Sequence, residues 1–179
     1  MRQESDSVVI RNLAPDELSA WLSFLRDEIF PEDPYEDVLS IWESDREKDT
    51  NGIFVATDPE GRIVSSVKAE CGTLFFHDVP VFPGIISGVG TKKEYRNQGL
   101  GKRLFQSCHA YLKTRGAGIA YLYSEPDTVS FYRRLEYLDC SKRPEESFYR
   151  MFRVIQPFAP GKRRIACAKD FLDFLDGDK

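Results

Sequence analysis

The strongest constraint lies between residues 84 and 103. There a β-prone run, Gly84-Ile-Ile-Ser-Gly-Val-Gly-Thr91, passes through a cation-rich loop into Gly99-Leu-Gly-Lys-Arg103. The apolar spacing Leu100, Leu104, Cys108, Leu112 predicts a helix over 99–115, stopped by Gly116. That helix begins on glycines, where a Ser, Thr or Asp would ordinarily cap the first N–H groups. An external oxyanion can approach glycine backbone closely, and the helix dipole favours negative charge there. Val89 to Arg103 carries Lys92, Lys93, Arg96, Lys102 and Arg103 against Glu94 alone, within a chain of net charge −4. A solvated charged loop is the plain alternative, but glycines, cations and a strand-to-helix junction coincide here. Two common phosphate loops do not fit. A P-loop needs glycine at 96 and Ser or Thr at 103, where arginines stand, and a dinucleotide GxGxxG from Gly99 needs glycine at 104, where Leu104 stands.

The remaining composition narrows the class. A chain of 179 residues is about one domain long and can bury a sizeable core without disulfides or metal. An acidic chain of pI about 5.3 is a poor general partner for nucleic acid or an anionic membrane. Cys71, Cys108, Cys140 and Cys167 form no CxxC pair, and His77 and His109 no HxxxH pair, so no metal site and no disulfide framework is expected. The opening residues lack the apolar core of a secretion signal, and no run nears the roughly 18 apolar residues of a membrane span. The expected location is the cytoplasm.

Patterning predicts mixed α and β structure. A strand is expected over 8–13, helices over 15–30 and 35–47 with a break at Pro31–Pro34, and a hairpin over 52–67 turning at Asp58-Pro-Glu-Gly-Arg62. Strands follow at 72–76, 84–91 and 119–123, a helix over 126–135, and strands at 137–140 and 148–155. From Gln156 a tail carries Lys162-Arg-Arg164 and an amphipathic helix around 166–175. Cys108 falls on the apolar stripe of its helix and His109 points about 100° away, so the two are not a catalytic pair.

Arg96-Asn-Gln-Gly99-Leu-Gly101 resembles the (Q/R)xxGx(G/A) pyrophosphate loop of the GCN5-related N-acetyltransferase (GNAT) family. The strand before it resembles the family's fourth strand, residues 119–123 its fifth, and Phe131-Tyr-Arg-Arg-Leu-Glu-Tyr137 its FYxxxGF element. Glu136 stands where that element has glycine, and Tyr137 where it has phenylalanine. Glu125 or Asp127 stands where an asparagine is frequent. The resemblance implies an α/β (α+β) fold with a mixed, mostly antiparallel sheet flanked by helices and splayed between the family's fourth and fifth strands. It implies an acetyltransferase domain over 1–155, with 156–179 as an extension.

The resemblance further implies acetyl transfer from acetyl-CoA to an amine of a small molecule or peptide, by direct attack in a ternary complex without metal. Backbone N–H groups from Gln98 through Gly99, Leu100 and Gly101 to Lys102 would bind the pyrophosphate beside Asn97, with Arg96 and Lys102 adding charge. Val89, Gly90 and Thr91 would line the pantetheine arm, and an N–H near Val89 would serve a developing oxyanion. Tyr132 would give the departing thiolate its proton. Glu70, His77 and Glu125 are candidate bases, with none singled out. The acidic stretch Asp27–Asp37 favours a cationic acceptor. A coenzyme A-binding module without turnover is the alternative, a hydrolase using Cys71 with His77 a third reading, and a homodimer is compatible with the family.

Overall fold

The protein is described by a computed structural model covering residues 8–44, 48–76, 78–139 and 147–176. The expectations placed on His77 and Cys140, and on the end of the second helix, lie outside these residues. Two compact units arise from the packing: residues up to Lys68 with Gly88–Cys108, and Ala69–Ser87 with residues from His109 onward.

In the first unit β1 (Val9–Asn12), β2 (Ile53–Thr57) and the start of β3 (Ile63–Cys71) form an antiparallel ladder. β2 is buried along its whole length, and helices α1 (Leu18–Glu28) and α2 (Tyr35–Ser44) place Trp21, Leu22, Phe24, Leu25, Val38 and Trp42 in one cluster with Ile53 and Val55. Trp21 and Trp42 meet edge to face, and the Trp21 indole N–H donates to Ser66 Oγ at 2.7 Å, so this core keeps its polar atoms bonded. α1 begins behind a turn opened by Pro15, where the Glu17 carboxylate accepts from the Ala14 N–H and pairs with Arg11.

In the second unit β7 (Ile119–Ser124) pairs antiparallel with β9 (Tyr149–Val154), and β9 with the short β8 (Leu138–Asp139). β6 (Gly84–Thr91) pairs parallel with β7, and among the described residues only at Gly84↔Ala120 and Ile85↔Tyr121. The sheet order is β1-β2-β3-β6-β7-β9-β8, with β3 and β6 running through both units. This is the mixed, mostly antiparallel sheet expected. α3 (Leu100–Thr114) stops at Gly116, where the Ala117 N–H reaches back to the Leu112 carbonyl. The tail helix α5 (Ala168–Leu175) buries Phe171 and Phe174 in a cluster with Val81, Ile119, Phe152 and Ile165.

Two expectations need correction, and one strand was not anticipated. The run after Gly72 forms only β4 (Leu74–Phe76), and it pairs with β5 (Val79–Val81), which periodicity missed. Pro80 inside β5 cannot donate to a ladder, which demotes such a run in sequence yet suits a two-stranded ribbon. The helix after β7 is shorter than expected: α4 is Val129–Arg134, because residues 125–128 close a turn with the Thr128 N–H on the Glu125 carbonyl.

His109, on α3, is buried, and Tyr137 is wholly so; His109 Nε2 and Tyr137 Oη lie 2.8 Å apart. Arg153 Nη1 lies 3.5 Å from His109 Nδ1. Arginine can only donate, so this arrangement leaves Nδ1 as acceptor and places the ring proton on Nε2, donating to Tyr137. Burial first, then the Arg153 and Lys113 charges, push the His109 pKa down to about 4. The unfolded chain therefore binds a proton near pH 6.5 that the folded chain refuses until about pH 4, so stability rises with pH across that window. Acidifying through it should cost on the order of 3 kcal/mol from this one residue. Urea unfolding of wild type and H109Q between those limits should show the flatter pH profile in the variant.

Candidate functional site

The β6–α3 junction is built by a miscount between two strands. The Gly72 N–H bonds the Pro83 carbonyl, and the Lys92 N–H bonds the Val64 carbonyl. Between these rungs β3 advances eight residues and the strand containing β6 advances nine. The extra residue is a bulge, and Gly88, at φ +57°, lies in that interval. Beyond it Ser65 Oγ donates to the Gly90 carbonyl at 2.9 Å and lies 2.7 Å from Thr91 Oγ1. Arg96 Nε donates to the Thr91 carbonyl at 2.9 Å, folding the loop back on the strand end.

The loop then crosses the left-handed region twice, at Asn97 (φ +61°) and Gly99 (φ +76°), before α3 begins. A methyl on Gly99 would meet no atom within 4 Å, so glycine is required there for its backbone conformation and not for room. The first helical bond is Arg103 N–H to the Gly99 carbonyl, which leaves the Leu100, Gly101 and Lys102 N–H groups as those a helix cannot satisfy internally. Arg96, Asn97, Gln98, Gly99, Lys102 and Arg103 are exposed. Val89, Gly90, Thr91 and Gly101 are half-buried. Leu100 is buried by its side chain and can offer a ligand only its backbone. The expected cradle residues are thus brought together as one bulged strand end, a bent loop and an open helix start. Sequence reasoning missed Ser65, whose hydroxyl ties down Gly90 and Thr91 from 25 residues away; a serine inside a buried strand gave no sign of its partner.

In the second unit, α4 carries Tyr132, which is 7% exposed and packs edge to face on Phe131 and Tyr137. Burial, with a smaller contribution from the Glu125 charge, pushes its phenol up to about 12. The helix closes with the Tyr137 N–H on the Tyr132 carbonyl at 3.1 Å and the Glu136 N–H on the Arg133 carbonyl at 3.0 Å. That is a Schellman closure, and its left-handed residue is Glu136, at φ +65°. A non-glycine residue there costs about 1 kcal/mol. The sequence departure at Glu136 has therefore kept the turn that glycine would make.

Of the other candidates, Glu125 is exposed and Glu70 and Cys71 are half-buried. Glu125 and Asp127 line a cleft of about 530 Å³ with Pro126, Ser147 and Phe148. Cys108 is buried with its thiol on the Val67 carbonyl, and burial raises its pKa strongly, as expected of a core thiol. In the acidic stretch, Asp27 is paired by its neighbour Arg26, while Glu36 and Asp37 occupy the first turn of α2, where carboxylates offset the helix dipole. Among the described residues no His, Cys, Asp and Glu grouping could hold a metal, and no helix is long and apolar enough to cross a membrane.

Residues 9–138 match the family model described as the acetyltransferase (GNAT) domain. The chain belongs to the GNAT family. No curated protein matches it. Solved GNAT structures share its fold: YhbS of Escherichia coli, determined in complex with CoA, at 16% identity and TM-score 0.65 over 87% of this chain and 85% of that one. A GNAT acetyltransferase of Staphylococcus aureus matches at 15% identity and TM-score 0.64, over 84% of this chain and 100% of that one. A Pyrococcus horikoshii protein assigned as an acetyltransferase matches at 21% identity and TM-score 0.58 over 74% of this chain, which spans only 44% of its length.

A G99A variant should lose about 1 kcal/mol of stability from its left-handed backbone alone. Urea midpoints compared with a surface glycine-free control such as S107A check this, and an unchanged midpoint would refute the strain assignment.

Proposed function

We propose that this GNAT protein is an acetyl-CoA-dependent N-acetyltransferase that acetylates a primary amine in a ternary complex. The observation that carries the reading is the open start of α3, entered through left-handed Gly99 and ringed by exposed Arg96, Lys102 and Arg103. Three N–H groups without an intrahelical partner and a helix dipole suit a diphosphate, and the fit is supported by the CoA-bound fold neighbour. In this reading Gln98 to Lys102 hold the pyrophosphate by backbone N–H groups, with Arg96 and Lys102 supplying charge. Val89, Gly90 and Thr91 offer the bulged strand end to the pantetheine arm. The Thr91 carbonyl is already engaged by Arg96, so its N–H is the better contact.

Bound acetyl-CoA supplies an activated thioester. Tyr132 holds a proton at Oη for the departing sulfur. With its pKa raised to about 12, the phenol stays protonated at every physiological pH. Such a reluctant acid lies far from the ideal matched to ambient pH, so its contribution belongs at the low end of general acid catalysis, about 100-fold. Glu70 and Glu125 stay as base candidates, with neither singled out. The acidic stretch Asp27–Asp37, where Glu32 and Asp33 are exposed, favours a cationic acceptor.

Calorimetry with coenzyme A and a coenzyme-release assay across cationic, neutral and acidic amines test this reading. Binding with release on cationic amines is expected. Absence of binding refutes the cradle, and binding without release on any amine would favour a coenzyme-sensing module. Y132F should lower kcat about 100-fold while coenzyme A affinity holds. The wild-type pH–rate profile should show no basic fall from Tyr132 below about pH 11.

A further inference from the structure

The turn after α4 carries a departure from its family pattern together with a set of contacts that compensates for it. Arg153 reaches across from β9: Nη1 donates to the Leu135 carbonyl at 3.0 Å and Nη2 to Glu136 Oε2 at 2.5 Å. These two carbonyl and carboxylate oxygens flank the one left-handed peptide of the turn. Behind it, Tyr137 Oη accepts from His109 Nε2 at 2.8 Å, and its ring meets that of Tyr132 at 6.2 Å and 65°. The Tyr132 carbonyl itself accepts from both the Leu135 and the Tyr137 N–H. The groups that fix this turn therefore also fix the backbone and one ring face of Tyr132.

We propose that Arg153 and Glu136 are positioning residues for Tyr132: the guanidinium clamps a left-handed turn built without glycine, and the clamped turn holds the Tyr132 ring in place. The proposal rests on the reading of Tyr132 as the acid. Glycine adopts such a backbone without help, whereas glutamate holds it against steric cost. An exposed ion pair alone is worth little, but the Arg153 carboxylate contact also aims the same guanidinium at the Leu135 carbonyl. The clamp is thus a substitute for the missing glycine, and the need for Arg153 should vanish when glycine is restored.

The test uses the full chain labelled with ¹³Cζ-tyrosine, with the Tyr132 resonance assigned by its loss in Y132F. In R153Q that resonance should move, and the phenol should begin to ionise at about pH 10.5, where the wild-type phenol stays neutral. In the coenzyme-release assay kcat should fall roughly fivefold with KM for acetyl-CoA held within about twofold. Y132F/R153Q should be no slower than Y132F, because one function is lost once. E136G/R153Q should recover both the resonance and kcat, which a general loss of stability would not do. An unmoved Tyr132 resonance in R153Q overturns the clamp, as does failure of E136G to restore it. A moved resonance combined with wild-type kcat in Y132F upholds the clamp and refutes the acid reading instead.

Discussion

Helix α3 begins with donors it cannot satisfy, and much of the first unit is arranged around that fact. The helix is anchored by a buried stripe, Leu100, Leu104, Phe105 and Cys108, so its start cannot slide or fray to relieve the three open N–H groups. Gly99 and Asn97 turn the chain through the left-handed region immediately before it, and Gly99 itself has no side chain that could cap the helix. The bulge in β6 and the Ser65 hydroxyl set where the strand ends; Arg96 sets how the loop returns. The open helix start is held in place by packing forces that are themselves apolar.

The second unit uses polar groups differently. Tyr132, His109 and Tyr137 are all buried, and burial decides the protonation of the first two: the phenol of Tyr132 is driven up and the imidazole of His109 down, so both are neutral near pH 7. Neutral groups can be stacked and bonded in a dry interior at small cost, whereas a charged one would need a partner. Arg153, which approaches His109, keeps an exposed carboxylate beside it. This places a proton-bearing phenol among packed rings.

Element types were largely legible in the sequence because they follow from local pattern. The stripe of α3, the glycine and proline turn at 58–62 and the break at Pro31–Pro34 each have a short-range cause, and each appears in the fold. The errors came where a specific hydrogen-bond partner outweighed the apolar pattern: β5 forms despite Pro80 because β4 supplies its partner, and α4 starts late because the Thr128 N–H bonds the Glu125 carbonyl first. The loop residues of the cradle were legible for the same local reason, since glycine and cation spacing is a property of neighbouring residues.

What the amino-acid order determined was therefore the helix start without a cap, the cations around it and the family to which they point. Tertiary structure decided the register around Gly88 within β6, the Ser65 tie, the burial that keeps Tyr132 protonated, and the support of a glutamate in glycine's place by an arginine 17 residues away. The reason is physical. Backbone conformation is set by neighbours a few bonds distant, but solvation and hydrogen-bond partners depend on which distant segments fold against one another, and that is absent from any local pattern.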